Sequence, residues 1–321
     1  MYDAVVMLIC TLASFVAEVL GVGCNSWIVW VNLRDWRRGV HLSLPDQILS
    51  FMALLNAVMQ NLFCIDVSCL TMGYYDSFNP IRIKIICGFV FLVSCNIWFT
   101  AWLSVYYYMR IVSFSGGLLL ALKTRISDLL PKLLVMSIAV SLIFALPSFW
   151  NIYPEIHQKN FGNATYNYTV EIRSIVITSP YLITSILGGT ITLTLTLLSI
   201  GLTLCSLCRH VKTMSIGIGS SSRPQTQAHI TAVRTMVLLV TVYSVYNVAS
   251  LIVVMRSFNF QDYVVLCCWY VTLVYPTLQA LVMITGNAKL KKATRGLLRS
   301  GGAQCSKLLV SPSIINNLSH Q

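Results

Sequence analysis

Seven runs of apolar residues divide this chain, and each is long enough to cross a lipid bilayer. A helix needs about 20 residues to span roughly 30 Å of hydrocarbon, and it satisfies its own backbone hydrogen bonds where water is absent. Only 10% of the residues are charged, against roughly 25% in soluble domains. We therefore expect an all-α bundle of seven transmembrane helices. The runs cover residues 5–32, 43–72, 83–113, 129–150, 175–208, 235–255 and 263–285.

The basic residues fall mostly on one side of such a bundle. If the N-terminus is extracellular, 17 of the 22 Lys and Arg residues lie in the inner loops and the tail, which is the distribution that the positive-inside rule favours. The net charge of +12 then reflects attraction to anionic lipids of the inner leaflet, and no nucleic-acid partner is expected. The first run lacks the basic start of a signal peptide, so we interpret it as a retained helix.

The segments outside the spans fit the same orientation. Asn163 and Asn167 begin Asn-Ala-Thr and Asn-Tyr-Thr triplets in the connection between the fourth and fifth runs, and both are predicted glycosylation sites. Residues 289–299 have the pattern of a short amphipathic helix on the membrane surface. We interpret residues 1–300 as one seven-helix domain and 301–321 as a disordered cytoplasmic tail.

Three functional classes are compatible with a bundle of membrane helices. A transporter usually shows internal repeats, and none is visible here. An intramembrane metalloenzyme needs clustered ligands, but the five histidines lie in loops or at helix ends and match no metal-binding pattern. We therefore expect no catalytic residues, metal or cofactor. The remaining class, a receptor that signals to a cytoplasmic partner, fits the odd number of spans and the basic inner face.

Six short motifs resemble the bitter taste receptors, the taste receptor type 2 family of G-protein-coupled receptors. They occur in the family's order and spacing, which makes the resemblance specific although each motif alone is weak. The residues matched include Asn25, Asn32, Asp35, Ser43 and Asp46. The motifs read CNSWIVWVNLRDW, LSLPDQIL, LSVYYYMRIVSFS, SLCRHVKTM, RPQTQAHITAVR and ITGNAKLKKA.

This resemblance implies a seven-helix receptor for small bitter-tasting organic molecules. The family couples to gustducin, an inhibitory-type heterotrimeric G protein, so a gustducin-like α subunit is the expected partner at the cytoplasmic face. A vomeronasal type 1 pheromone receptor is the alternative with the same architecture, and a small-solute transporter is the alternative from another class. The expected surface for the G protein comprises Tyr107, Arg110, His210, Lys212, Met214, His229 and Arg234.

Ligands are expected in the outer half of the bundle, in a largely apolar pocket with few polar groups. Phe89, Val93 and Asn96 fall on one face of the third helix. By resemblance, Phe89 and Val93 coincide with ligand-contacting positions of the family, as does Trp269. For each residue, packing between helices is the competing interpretation. The remaining candidates are Tyr243, Tyr246 and Thr272.

Two acidic residues lie inside the predicted spans. Asp66 is in the outer third of the second helix, where a carboxylate is costly unless it faces a wet cavity or a partner. Because a carboxylate with aromatic neighbours suits a cation, we predict Asp66 as the contact for amine ligands, with hydration near the headgroups as the alternative. Glu18 is expected to face the bundle and bind a neighbouring helix.

Several positions depart from the family's usual residues. Asn56 replaces an arginine in the second helix, Thr192 replaces a proline in the fifth, and Gln279-Ala280 replaces a His-Ser pair in the seventh. These polar positions connect helices in the family, so we expect a divergent member whose helices are linked differently. The ligand preferences of other members should not be transferred to it.

Overall fold

The computed structural model describes residues 2–71, 80–112, 117–158, 170–177, 189–206, 223–255 and 263–309. Within these ranges the chain is a helical bundle. Seven helices are long and apolar enough to cross a membrane, and an eighth follows the seventh, which confirms the predicted architecture. The helices are α1 (Tyr2–Arg37), α2 (Leu44–Thr71), α3 (Pro80–Ile111), α4 (Leu118–Asn151), α5 (Gly189–Ser206), α6 (Arg223–Met255), α7 (Tyr263–Gly286) and α8 (Ala288–Leu309).

The structure also contains two strands, which the sequence analysis did not predict. β1 (Ile152–Gln158) follows α4 directly and pairs antiparallel with β2 (Val170–Ile177), with an irregularity between Glu155 and Ile156. The predicted fifth span began at residue 175 and is wrong there, because residues 175–177 belong to β2. VEIRSIVI is rich in Val and Ile, and these β-branched residues favour strands. We call the end of the bundle beside these strands the hairpin end, and the opposite end the α8 end.

Several helices extend beyond their predicted bounds, most of all α4, α6 and α8. α4 begins at Leu118 and α6 at Arg223, each about three turns before its run, because polar residues continue a helix outside the hydrocarbon. Pro224, at the second position of α6, suits a helix start, where its missing N–H costs no hydrogen bond. α8 continues to Leu309, beyond the predicted end at residue 299, and residues 310–321 lie outside the described ranges.

The core of the bundle lies mainly between α1, α2, α3 and α7. Near the α8 end, a large apolar cluster includes Ile28, Met52, Phe99 and Met283, all at most 3% exposed. A second cluster nearer the hairpin end is built around Tyr275. The outward face of α4 is apolar and exposed instead, as at residues 135, 136 and 143. Such a surface fits lipid rather than water.

Candidate functional site

Asn287 connects the start of α8 to α2. It lies between Gly286 and Ala288, and its Oδ1 accepts hydrogen bonds from the backbone N–H groups of Lys289 (2.9 Å) and Leu290 (3.2 Å). This is the arrangement of a helix N-cap. Its Nδ2 also donates to Oδ1 of Asp46 across 2.8 Å. One side chain therefore begins α8 and holds it against α2.

Lys289 completes this polar cluster at the α8 end. Its Nζ lies 3.1 Å from Oδ2 of Asp35 and 3.8 Å from Oδ2 of Asp46, and it donates to Oδ1 of Asn32 across 2.8 Å. Nδ2 of Asn32 in turn donates to Oγ of Ser50 across 2.7 Å. The motif residues of the first, second and last helices thus meet at one place, although up to 257 positions separate them along the chain.

Gly286, the glycine that precedes Asn287 in the last motif, lies close to α6. A Cβ added there would overlap the side chain of Thr235 on α6, whose own Cβ would be 2.8 Å away. α6 and α7 therefore lie close together where α8 begins. Small residues allow such approaches between membrane helices.

A second polar cluster, of buried amides, lies deeper in the bundle. Nδ2 of Asn56 donates to Oε1 of Gln279 (2.9 Å) and to Oδ1 of Asn25 (3.3 Å). Nδ2 of Asn96 donates to Oδ1 of Asn56 across 3.0 Å. Asn25 also donates to Oε1 of Gln60 across 3.2 Å. These amides join α1, α2, α3 and α7, and all five residues are at most 2% exposed.

Two of the departures from the family's residues, Asn56 and Gln279, are therefore direct partners. The predicted ligand residue Asn96 belongs to the same cluster, and its Oδ1 has no hydrogen-bond partner among the described residues. Gln60 was missed by the sequence analysis. Its signal was a polar side chain inside an apolar run, and its Nε2 donates to Oγ1 of Thr277 across 3.1 Å.

The hairpin end of the bundle contains an aromatic cluster. The ring of Phe63 lies between those of Phe89 and Trp269, with centroid distances of 6.4 and 6.5 Å. Asp66 follows Phe63 by three residues, on the same face of α2, and is 2% exposed. The structure thus places three predicted ligand residues near one another and adds Phe63, which the sequence analysis missed.

The tyrosines predicted on α6 face the same part of the core. Tyr243 is 3% exposed, donates from its hydroxyl to the carbonyl of Gly189 (3.3 Å) and accepts from Nδ2 of Asn247 (2.8 Å). The Tyr246 ring lies 4.5 Å from that of Tyr275. Val93 packs in the cluster with both α6 tyrosines.

Thr272 and Glu18 complete the set of predicted intramembrane residues. The hydroxyl of Thr272 donates to the carbonyl of Trp269 across 2.6 Å, within α7. Glu18 is 3% exposed and faces the bundle, as predicted, but its Oε2 has no hydrogen-bond partner in the described parts of the chain.

The residues predicted to contact a G protein divide into three groups. Arg110 and Arg234 are exposed, and Tyr107 is half-buried. Arg110 packs over the Tyr106 ring, 5.5 Å from its centroid, and its Nε donates to the Tyr106 hydroxyl across 3.1 Å. His229 lies in α6, and nothing is described of its side chain. The rest, His210, Lys212 and Met214, lie outside the described residues, as do Asn163 and Asn167.

Comparison with known proteins identifies a family that this chain matches over most of its length. The sequence profile of the taste receptor protein family (TAS2R) matches residues 1–301. Taste receptor type 2 member 39 of Macaca mulatta is 28% identical over 299 residues, which cover 89% of this chain and 86% of that receptor. Human taste receptor type 2 member 4 is 27% identical over 299 residues, covering 89% and 95%. Human member 43 is 28% identical over 282 residues, covering 86% and 89%.

The profile match favours the taste receptors over the vomeronasal alternative. Together with the seven spans, it assigns this chain to the multi-pass proteins of the plasma membrane and to the receptors rather than the enzymes. The chain belongs to the taste receptor type 2 family, the bitter taste receptors among the G-protein-coupled receptors.

Proposed function

We propose that this receptor detects small organic, bitter-tasting molecules at the hairpin end of its bundle and activates a gustducin-like G protein at the α8 end. The proposal includes an extracellular N-terminus, which the excess of Lys and Arg at the α8 end supports. The hairpin end is then open to the outside, where tastants arrive.

One observation carries the ligand site: Phe63 lies between Phe89 and Trp269, and the buried Asp66 follows on the same face of α2. Aromatic walls with a small number of polar groups are typical of sites for small organic ligands. Val93, Tyr243 and Tyr246 extend the apolar lining toward α6, and Tyr243 adds a hydroxyl group. Asn96 and Thr272 are the remaining proposed contacts.

Asp66 gives this site a preference for cations. A carboxylate in a low-dielectric surrounding attracts an ammonium group more strongly than it does in water, and the aromatic rings nearby add cation–π attraction. We therefore propose that amine ligands bind with the ammonium group near Asp66 and the apolar part against Phe89 and Trp269.

The G protein surface is proposed at the α8 end, from α3, α6 and the segment between α5 and α6. Arg110 and Arg234 are exposed there and carry positive charge toward a cytoplasmic partner. Arg110 rests on Tyr106, so its guanidinium group is already oriented by a ring. The other proposed contacts are Tyr107, His210, Lys212, Met214 and His229.

Calcium imaging of cells that express the receptor with a gustducin-type or promiscuous Gα tests both halves. A panel of amine and neutral bitter compounds is applied to the wild type and to Asp66→Asn. We expect Asp66→Asn to raise the half-maximal concentration for amines at least tenfold, on the order of 1.4 kcal/mol, and to leave neutral agonists within twofold. Asn61→Ala, exposed on the same helix, is the matched control.

Arg110→Ala tests the G protein surface in the same assay. We expect normal surface expression and a reduced maximal response to every agonist. Exposed Arg125→Ala at the same end of the bundle serves as the control. A response without any Gα would argue for transport rather than receptor signalling. Full signalling by Arg110→Ala at normal expression would exclude this arginine from the surface.

A further inference from the structure

A shallow cleft of about 200 Å³ lies at the C-terminal end of α1, away from the proposed ligand and G protein sites. Its lining comprises two apolar and three basic side chains: Trp30, Leu33, Arg34, Arg37 and Arg38. Trp30 and Leu33 lie about one helical turn before Arg34 and Arg37, respectively. The cleft is therefore apolar toward the middle of the span and basic at its end.

The apolar wall of the cleft is held in place by its neighbours. The Trp30 ring stacks on Trp27 with centroids 5.0 Å apart, and Nε1 of Trp27 donates to Oγ1 of Thr294 on α8 across 3.0 Å. On its other side, the guanidinium carbon of Arg34 lies 5.1 Å from a Trp30 ring centroid. Trp30 is nevertheless 49% exposed, so part of its surface is open to a ligand.

The basic end of the cleft is ordered by the backbone. Gly39 has φ of +78°, and the N–H of Val40 donates to the carbonyl of Asp35 across 3.1 Å while that of Gly39 donates to Trp36 across 2.9 Å. These two bonds form a Schellman motif, which ends α1 sharply. The exposed Arg37 and Arg38 therefore emerge from a defined turn.

The charges of the cleft are only partly balanced. Arg34 forms an ion pair with Asp35 at 3.1 Å, but Asp35 is shared with Lys289. Within the described ranges, no carboxylate forms a salt bridge with Arg37 or Arg38. Among the described residues, Arg37 and Arg38 thus have no acidic partner, and they lie at the end of α1, about two turns beyond the exposed indole ring of Trp30.

We infer that this cleft binds the headgroup of a phosphorylated inositol phospholipid, with the lipid's acyl chain lying on Trp30 and Leu33. Each guanidinium group can donate two parallel hydrogen bonds to the oxygens of one phosphate. Arg37 and Arg38 therefore match a headgroup that carries a phosphate monoester in addition to its phosphodiester. Tryptophan is enriched at the level of the headgroups. In the proposed orientation, the C-terminal end of α1 lies in the cytoplasmic leaflet, where anionic lipids create a negative surface potential.

Titration of the purified full-length receptor in detergent with phosphatidylinositol monophosphate, followed by native mass spectrometry, tests the inference. We expect this lipid to bind at least tenfold more tightly than phosphatidylcholine. Arg37→Gln/Arg38→Gln should lower its affinity by about tenfold or more, since a basic residue at the membrane surface contributes about 1 kcal/mol and 1.4 kcal/mol is tenfold. This double variant should have the melting temperature of the wild type, because both side chains are exposed.

Lys291→Gln/Lys292→Gln is the matched control, because it removes the same charge from exposed positions of α8. We expect a loss within about twofold. An equal loss in both double variants would mean diffuse surface charge and would overturn the site. Wild-type affinity in a normally melting Arg37→Gln/Arg38→Gln receptor would overturn it as well. Arg37→Lys/Arg38→Lys, which retains the charge but not the paired donors, should bind with intermediate affinity.

A soluble inositol bisphosphate, which has the headgroup charges without acyl chains, distinguishes a lipid from a free anion. We expect it to displace little of the bound lipid, because it makes no contact with Trp30 or Leu33. Complete displacement at equal concentration would assign a free-phosphate site and overturn the lipid. The titration contains no tastant and no G protein, so its outcome is independent of the proposed signalling function.

Discussion

Asn56 of α2 and Gln279 of α7 share a buried hydrogen bond of 2.9 Å, at two positions where bitter taste receptors usually have an arginine and a histidine. A neutral amide pair has replaced residues that are larger or can be charged. Because an amide is much less costly to bury than an ion, this exchange allows the centre of the bundle to be dry and uncharged.

We expect Asn56→Ala and Gln279→Ala each to destabilise the receptor by about 1–3 kcal/mol, since each removes a hydrogen bond between buried amide groups. The double variant should lose less than the sum of the two single losses, because the partners of the bond are removed together. Thermal melts of the purified receptor measure this.

The control for the amide pair is Asn61→Ala, because Asn61 is exposed and donates only to the carbonyl of Ala57 within its own helix. Its melt should stay close to that of the wild type. Strictly additive losses for Asn56 and Gln279 would contradict a direct coupling between the two amides.

Lys289→Ala should be among the most harmful single changes at the α8 end. It leaves Asp35 and Asp46 without their shared cation and Asn32 Oδ1 without its donor. Removal of one partner from a partly buried ion cluster costs roughly 1–3 kcal/mol, so we expect a lower melting temperature and less receptor at the cell surface.

Lys292→Ala on the exposed side of the same helix is the comparison, with an expected change within about 0.5 kcal/mol. Flow cytometry of an N-terminal tag quantifies both variants in intact cells. Equal surface levels for the two would mean that the Lys289 cluster contributes little to folding.

Gly286→Ala should destabilise the contact between α6 and α7 by about 1–3 kcal/mol, the usual cost of inserting a methyl group into a packed core. The new Cβ overlaps the Thr235 side chain. Gly296→Ala is the matched control, because nothing lies within 4 Å of a Cβ at that position of α8 and alanine favours a helix by about 1 kcal/mol.

Thr235→Gly should restore part of the stability of Gly286→Ala, since it removes the side chain that the new methyl group meets. Thermal melts of Gly286→Ala, Gly296→Ala and the double variant Gly286→Ala/Thr235→Gly test this prediction. If Gly286→Ala melts like Gly296→Ala, the close approach of α6 and α7 at this point is wrong.

Asn163→Gln and Asn167→Gln should each increase the electrophoretic mobility of the receptor expressed in mammalian cells, by the mass of one glycan. Endoglycosidase treatment of the wild type should give the mobility of the double variant. Both sequons lie between α4 and α5, so this measurement also tests the proposed orientation.

A third triplet, Asn317-Leu318-Ser319, provides the internal control. In the proposed orientation it is cytoplasmic, and Asn317→Gln should leave the mobility unchanged. A glycan at Asn317 and none at Asn163 or Asn167 would invert the topology.

Much of the architecture was predictable because a bilayer imposes its own thickness on the sequence. The seven runs located most of the helices, and three of the six motifs, those of the first, second and last helices, contain residues that meet at the α8 end. What the motifs did not reveal was why those residues matter: the bonds of Asn287 to Asp46 and of Lys289 to Asn32 appear only when the helices pack.

The errors arose where composition stopped being informative. Residues 175–177 are apolar enough for a span, but they pair in β2, and the pairing depends on a partner strand more than 15 positions away. Asn96 shares a helical face with Phe89, and this spacing did not reveal its hydrogen bond to Asn56 in the amide cluster. Helical spacing gives the direction of a side chain, whereas its depth in the bundle decides which neighbours it contacts.

Asn287 makes the α8 end of the bundle sensitive to movement. Its Oδ1 begins α8 and its Nδ2 binds α2, so a shift of α7 away from α2 has to break the bond to Asp46 or remove the cap from α8. A receptor that separates these helices when it is activated would therefore lose either the link between α2 and α8 or the N-cap of α8. A single amide thus couples the spacing of two membrane helices to the start of a third.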